Sequence, residues 1–142
     1  MTTVLVAVGM VLAAVGAVLA WVRRRWMIVV VDGTSMAPTL APGARLVVRR
    51  TAAAAIRVGD VVVAEAPLPG PQSLIVKRVI AVPGDPVPSA TVPALASPGA
   101  TVPAGRYLLL GDNPADSRDS RVFGYLHAER VRGVVVRAVG SR

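Results

Sequence analysis

The chain has no cysteine, one histidine and one lysine among its 142 residues. The first absence excludes disulfides, thiolate metal sites and cysteine nucleophiles. A single histidine, His127, argues against a zinc site of the usual kind. Acids are also scarce, with eight Asp and Glu against sixteen Lys and Arg, for a net charge of +8. Such an excess suits anionic lipid headgroups or nucleic acid and does not choose between them. The basic residues divide into fifteen Arg and one Lys, Lys77. Arginine is always protonated, whereas a desolvated lysine can lose its proton and act as a base. The apolar sequence Leu74 to Val82 around Lys77 supplies surroundings of that kind. A chance survivor at a strand edge is the alternative reading.

Hydrophobic residues make up 54% of the chain, and much of the excess lies in Met1 to Val22, which carries no charged side chain. Val4 to Val22, taken as a helix, rises about 28 Å, close to the hydrocarbon thickness of a bilayer. Trp21 and Trp26 bracket Arg23, Arg24 and Arg25 at its C-terminal end, as an interfacial anchor requires. A cleavable secretory signal would begin with a basic region, and Met1-Thr2-Thr3 has none beyond the amino terminus. The expectation is a retained transmembrane anchor over residues 1–22, followed by one catalytic domain over 23–142.

Beyond the anchor, helical periodicity gives way to short β-branched runs. Met27 to Val31, Arg45 to Arg50, Asp60 to Glu65, Leu74 to Val82, Arg106 to Leu110 and Val131 to Val139 read as strands. Thr51 to Ala55 is a helical turn or a loop. Pro83-Gly84-Asp85 is a turn, and Pro86 to Gly105 an irregular connection. The domain is expected to be compact and mainly β.

Three segments have compositions unsuited to plain structural roles. Gly33-Thr34-Ser35-Met36-Ala37-Pro38-Thr39-Leu40 sets a serine on a turn just past a strand, where free backbone N–H groups can stabilise an oxyanion. Helix capping by Ser35 is the plainer reading. Serine needs a base, and Lys77 in an apolar strand is a better candidate than His127, whose surroundings mark no catalytic role. Gly111 to Arg121 is dense in hydrogen-bonding side chains. It reads as a polar loop, a cation site of three Asp residues, or a support that positions a buried lysine.

Taken in order, Gly-x-Ser-Met-x-Pro-Thr-Leu, Lys-Arg-Val-Ile-Ala-Val-Pro-Gly-Asp, then Gly-Asp-Asn with Ser-x-Asp-Ser-Arg closely resemble the bacterial type I signal peptidases, part of a wider family of Ser-Lys endopeptidases. The resemblance covers residues 28–124 together with the anchor. It implies the β fold shared with the SOS-repressor peptidases, with Ser35 as nucleophile and Lys77 as general base. It also implies that Ser117 hydrogen-bonds the lysine amine, that Asp119 and Arg121 form a supporting ion pair, that Asp112 braces their loop, and that the Ser35 N–H serves the oxyanion hole. Gly33 stands where some relatives carry a second, hydroxyl donor, and Ala44 where relatives often carry an acid. Only Pro86 to Leu110 separates the lysine and Gly-Asp-Asn boxes, where larger relatives insert a β subdomain, so a minimal core is expected.

The function so implied is cleavage of leader or signal peptides after Ala-x-Ala, with substrate bound as an extended strand and no cofactor, metal or nucleic-acid partner. The domain is expected outside the cytoplasm by resemblance, although Arg23 to Arg25 favour the cytoplasmic side by the positive-inside rule. A dedicated maturation protease, of the kind that trims nickel-type superoxide dismutase, is the second reading. Two readings rank lower: self-cleaving SOS-type repressors, which carry a DNA-binding domain where this chain has an anchor, and a non-enzymatic basic β module tethered to anionic lipid.

Overall fold

The computed structural model describes residues 1–67 and 73–140. Its first element, α1 (Thr2–Arg25), is an unbroken helix long and apolar enough to cross a membrane, with none of that stretch buried in the rest of the molecule. The helix continues past Val22 because Arg23, Arg24 and Arg25 are good helix formers and lie where cations favour the negative end of the helix dipole. Trp26 ends it by turning extended, and β1 (Trp26–Val30) begins there without a linker.

The remaining elements are β2 (Arg45–Arg49), β3 (Val61–Glu65), β4 (Leu74–Ala81), β5 (Arg106–Leu110), the short α2 (Ser120–Phe123), β6 (Leu126–His127) and β7 (Val131–Val139). The expected mainly β domain is what forms. All pairings are antiparallel, and the strand order is β1-β2-β7-β3-β4-β5-β6. The last strand therefore inserts between the second and third. Gly133 on β7 makes this possible: a Cβ there would lie 2.5 Å from the Arg49 carbonyl oxygen.

Three apolar clusters back the sheet. Met36, Leu40, Leu46, Val48 and Val63 form one; Ile56, Val62, Val79, Tyr107 and Leu109 form a second. The third shows that the irregular connection Pro86 to Gly105 is nonetheless packed. Val87, Val92 and Val102 from that segment are buried against Ala81 and Leu108, and Pro93–Leu95 forms a 3-10 turn. The segment lacks periodicity because its anchors are spaced by turns, yet it carries its own core. Residues 53–55 form a 3-10 turn, and α2 and β6 are elements the sequence reading did not foresee.

Candidate active site

Ser35 sits on the loop between β1 and β2. The loop is closed at its neck, where Val31 N–H donates to the Ala44 carbonyl and Gly43 N–H to the Val31 carbonyl, both at 2.9 Å. Gly33 takes φ +95°, a left-handed conformation that side-chain-bearing residues rarely adopt. Just past the serine, Met36 and Leu40 are buried in the first core cluster, and Leu40 N–H closes on the Met36 carbonyl at 2.9 Å. Apolar burial on one side and glycine freedom on the other leave Ser35 half-buried at the loop's crest. Its backbone N–H has no hydrogen-bond partner among the described residues, whereas its carbonyl accepts from Asn113 N–H at 3.0 Å.

Lys77 lies in β4, opposite Val62 of β3. Burial along β4 alternates from this point, with Lys77, Val79 and Ala81 buried and Arg78 and Ile80 half-buried. Only 3% of Lys77 is exposed, and its Nζ donates to Ser35 Oγ at 2.6 Å. Desolvation lowers the lysine pKa below its ordinary 10.5, and the charge of Asp119 raises it part of the way back. The result is an amine shifted toward its neutral form and in direct contact with a serine hydroxyl.

The loop after β5 supports both. Asp119 is completely buried, and its carboxylate accepts from Gly111 N–H at 2.9 Å, Ser117 Oγ at 2.7 Å, and Arg121 Nε and Nη2 at 2.9 and 2.7 Å. Burial alone would raise its pKa; the hydrogen bonds from Arg121, Gly111 and Ser117 outweigh it and hold the carboxyl at about 2. Gly111 is required by space rather than by conformation. A Cβ there would lie 2.2 Å from Ser117 Oγ and 2.5 Å from the Ser35 carbonyl oxygen.

Each residue read from the sequence can now be placed. Ser35 and Lys77 are brought together, and Asp119 and Arg121 form the implied ion pair. Ser117 departs from the implied arrangement: its hydroxyl donates to Asp119 at 2.7 Å and makes no hydrogen bond with the Lys77 amine. Asp112 braces more than its own loop. It accepts from Arg78 Nε and Nη2, at 2.9 and 2.7 Å, and so ties the loop to the residue after Lys77. Gly33 supplies backbone conformation with open space where a side chain would be. The three aspartates do not converge as a cation site, since Asp112 faces Arg78, Asp119 faces Arg121 and Asp116 accepts from Thr34 Oγ1 at 2.9 Å. His127 is exposed and contacts the Arg106 side chain.

The sequence reading missed the bonds that join the serine loop to the Gly111 loop. Thr34 donates to Asp116, Asn113 Nδ2 donates to the Thr34 carbonyl at 3.1 Å, and Asn113 N–H donates to Ser35 O. Ser120, also buried, accepts from Leu109 N–H at 2.8 Å and seats α2 on β5. Only the clustering of polar residues from Gly111 to Arg121 hinted at these.

A cleft of about 340 Å³ opens beside the Ser35–Lys77 pair. One wall is the end of β1 and its continuation, Val29 to Asp32; the other is Leu74 to Lys77. β1 is the edge strand of the sheet, and β5 pairs with β4 only from Arg78 onward. Among the described residues, both walls therefore present unpaired backbone.

The family described as "Signal peptidase, peptidase S26" matches residues 1–92 and 88–139. Mitochondrial inner membrane protease subunit 1 of Schizosaccharomyces pombe is 35% identical over 112 residues, covering 76% of this chain and 69% of that protein. The proteins of the same name from mouse and human are 38% and 37% identical over 78 residues. Those alignments cover 55% of this chain and 46% of each relative, so the matched part is about half the length of the mammalian proteins.

Proposed function

The chain belongs to the signal peptidase family, peptidase S26, and on that premise we propose that it is a membrane-bound serine endopeptidase working through a Ser35–Lys77 dyad. The observation that carries this reading is the 2.6 Å contact between the two side chains, with the lysine almost wholly buried. Neutral Lys77 takes the Ser35 proton as Oγ attacks the substrate carbonyl. The free N–H of Ser35 stabilises the resulting oxyanion. The lysine ammonium then returns the proton to the leaving amine, and the neutral amine activates water to hydrolyse the acyl-enzyme. Asp119, charged because of its hydrogen bonds, and Ser117 hold the loop beneath the amine. Gly33, Asp112 and Arg121 keep the serine loop and β4 in place.

The substrate is an extended segment that adds as a strand in the cleft between β1 and the first half of β4, with main-chain hydrogen bonds to the unpaired edges. The substrates proposed are leader or signal peptides cut after Ala-x-Ala. The single membrane pass is α1, and the domain stands outside the cytoplasm, where secretory leaders emerge. Protease accessibility of the C-terminus in sealed vesicles tests that orientation, and protection of an inward-facing domain would reverse it.

The dyad itself is tested by Lys77→Arg assayed on an Ala-x-Ala peptide. The variant is expected to fold and to lose essentially all turnover, since guanidinium does not act as a base at working pH. Retained turnover excludes the dyad. In the unaltered chain, activity should rise with pH as the amine loses its proton, with an inflection below 10.5 because desolvation favours the neutral form. Acylation of Ser35 by a penem, absent in Ser35→Ala, separates an enzyme from an inert lipid-tethered module.

A further inference from the structure

Of the three residues that follow β5, Gly111 leaves room for its neighbours and Asp112 holds Arg78. Asn113 has no part in the reaction as proposed. Its place is set locally. Pro114 confines it to extended backbone, with φ −111° and ψ 91°. The turn Pro114–Asp116 then folds back, and Asp116 N–H donates to the Asn113 carbonyl at 3.2 Å. Asn113 is left half-buried against the crest of the serine loop.

Its bonds to that loop go to the backbone of the nucleophile. Asn113 Nδ2 donates to the Thr34 carbonyl at 3.1 Å, and Asn113 N–H donates to the Ser35 carbonyl at 3.0 Å. These carbonyls belong to the two peptide groups on either side of the Ser35 Cα. The amide nitrogen is the end that must face Thr34. Its neighbours there, the Thr34 carbonyl and the Asp116 carboxylate at 3.4 Å, only accept. The Thr34 carbonyl has a second donor, Ala37 N–H at 3.0 Å, so both its lone pairs are used. The same peptide group carries the Ser35 N–H at its other end. The Thr34–Ser35 bond is trans, so carbonyl and N–H point in opposite directions. Donors that hold the carbonyl therefore fix the direction of the N–H. It is turned away from Asn113 and has no partner among the described residues.

We propose that Asn113 is a positioning residue, which by holding the Thr34 carbonyl aims the Ser35 N–H at the oxyanion formed during acylation. It makes no hydrogen bond with Ser35 Oγ or Lys77 Nζ, so it acts on the donor and not on the dyad. The role rests on Ser35 being the nucleophile. Turning the N–H out of the site would break the Asn113 bond and the Ala37 bond together. A whole oxyanion donor is worth roughly 10²–10³ in rate, and with the Ala37 bond intact the loss from Asn113→Ala is expected to be about tenfold.

The test compares the full chain in detergent as wild type, Asn113→Ala and Asn113→Asp, the last of equal size with no N–H to donate. Each is assayed on an Ala-x-Ala peptide and titrated with a peptide aldehyde. Ser35 Oγ adds to the aldehyde carbon, the serine proton passes to Lys77, and the aldehyde oxygen takes the charge where the oxyanion forms. Both variants are expected to lose about tenfold or more in kcat and to bind the aldehyde more weakly by the same factor. KM and the pH inflection of kcat should not move, because the cleft walls and Lys77 are untouched. Wild-type kcat in Asn113→Asp overturns the proposal, since filling the space would then suffice. A shifted pH inflection, or a rise in KM alone, overturns it as well, by assigning Asn113 to the dyad or to substrate binding. If Asn113→Ala does not fold, Asn113→Asp decides, and failure of both to fold makes the residue structural and ends the idea. A wild type with neither turnover nor penem labelling sinks the dyad and this role with it. An active wild type matched by its variants sinks only the role of Asn113.

Discussion

Two arginine–aspartate pairs support the same lysine, each closing at 2.7 Å, and they are unlike in everything but chemistry. Asp112 keeps 16% of its side chain in solvent and is held by Arg78, whose hydrogen bond is the main cause of its lowered pKa. Asp119 has no exposure, and burial is the largest influence on it, opposed by donors from three residues. The first pair is a strut between two elements and the second a hub that organises a loop. A charge in a dry site depends on every donor around it, whereas water can replace a lost partner at a wetter one.

That contrast can be broken or sharpened by experiment. The largest effect is expected from Asp119→Ala, which strips the hub and leaves its donors facing a void: a loss of about 3–5 kcal/mol, read by denaturant unfolding in detergent. A loss near that of Asp112→Ala would erase the distinction. Acid offers a second route without mutation. The Asp119 carboxyl is depressed from 3.8 to about 2, so its contribution is present above pH 3.8 and is lost as pH falls toward 2, by about 2 kcal/mol in total. Unfolding free energy measured across that window should fall in the wild type, and the fall should be smaller in Asp119→Asn.

Gly111→Ala comes next. Its new methyl would collide with Ser117 and the Ser35 backbone, costing about 1–3 kcal/mol. Because both neighbours belong to the site, turnover should fall further than stability does. Asp112→Ala is expected to be mildest, at about 1 kcal/mol, since Arg78 keeps its bond to the Gly59 carbonyl and a path to solvent. Thermal unfolding of the two variants side by side tests the ranking.

The legible and illegible parts of the site divide by sequence distance. Asp119 and Arg121 are two residues apart, and their pairing is implied by the motif that contains both. Arg78 and Asp112 are 34 apart, and Thr34 and Asp116 are 82 apart. Either could be named as a polar residue and neither as a partner, because long-range pairing depends on strand order. The same holds for β7, whose apolar run was plain but whose place between β2 and β3 was not. It holds too for Val87, Val92 and Val102, ordinary valines in a proline-rich stretch until the fold gives them Leu108 to pack against.

By itself the sequence determined the long apolar helix, the β character of the rest, and the candidacy of Ser35 and Lys77, because hydrophobic period, turn residues and motif spacing are local properties of the chain. Only the tertiary structure decided that these two side chains, 42 residues apart, meet at 2.6 Å, and that burial lowers the amine's pKa below its ordinary value. Apolar flanks such as Leu74 to Val82 suggest desolvation but do not produce it. It arises when several elements exclude water from the same point, and a linear chain does not record which of them will meet.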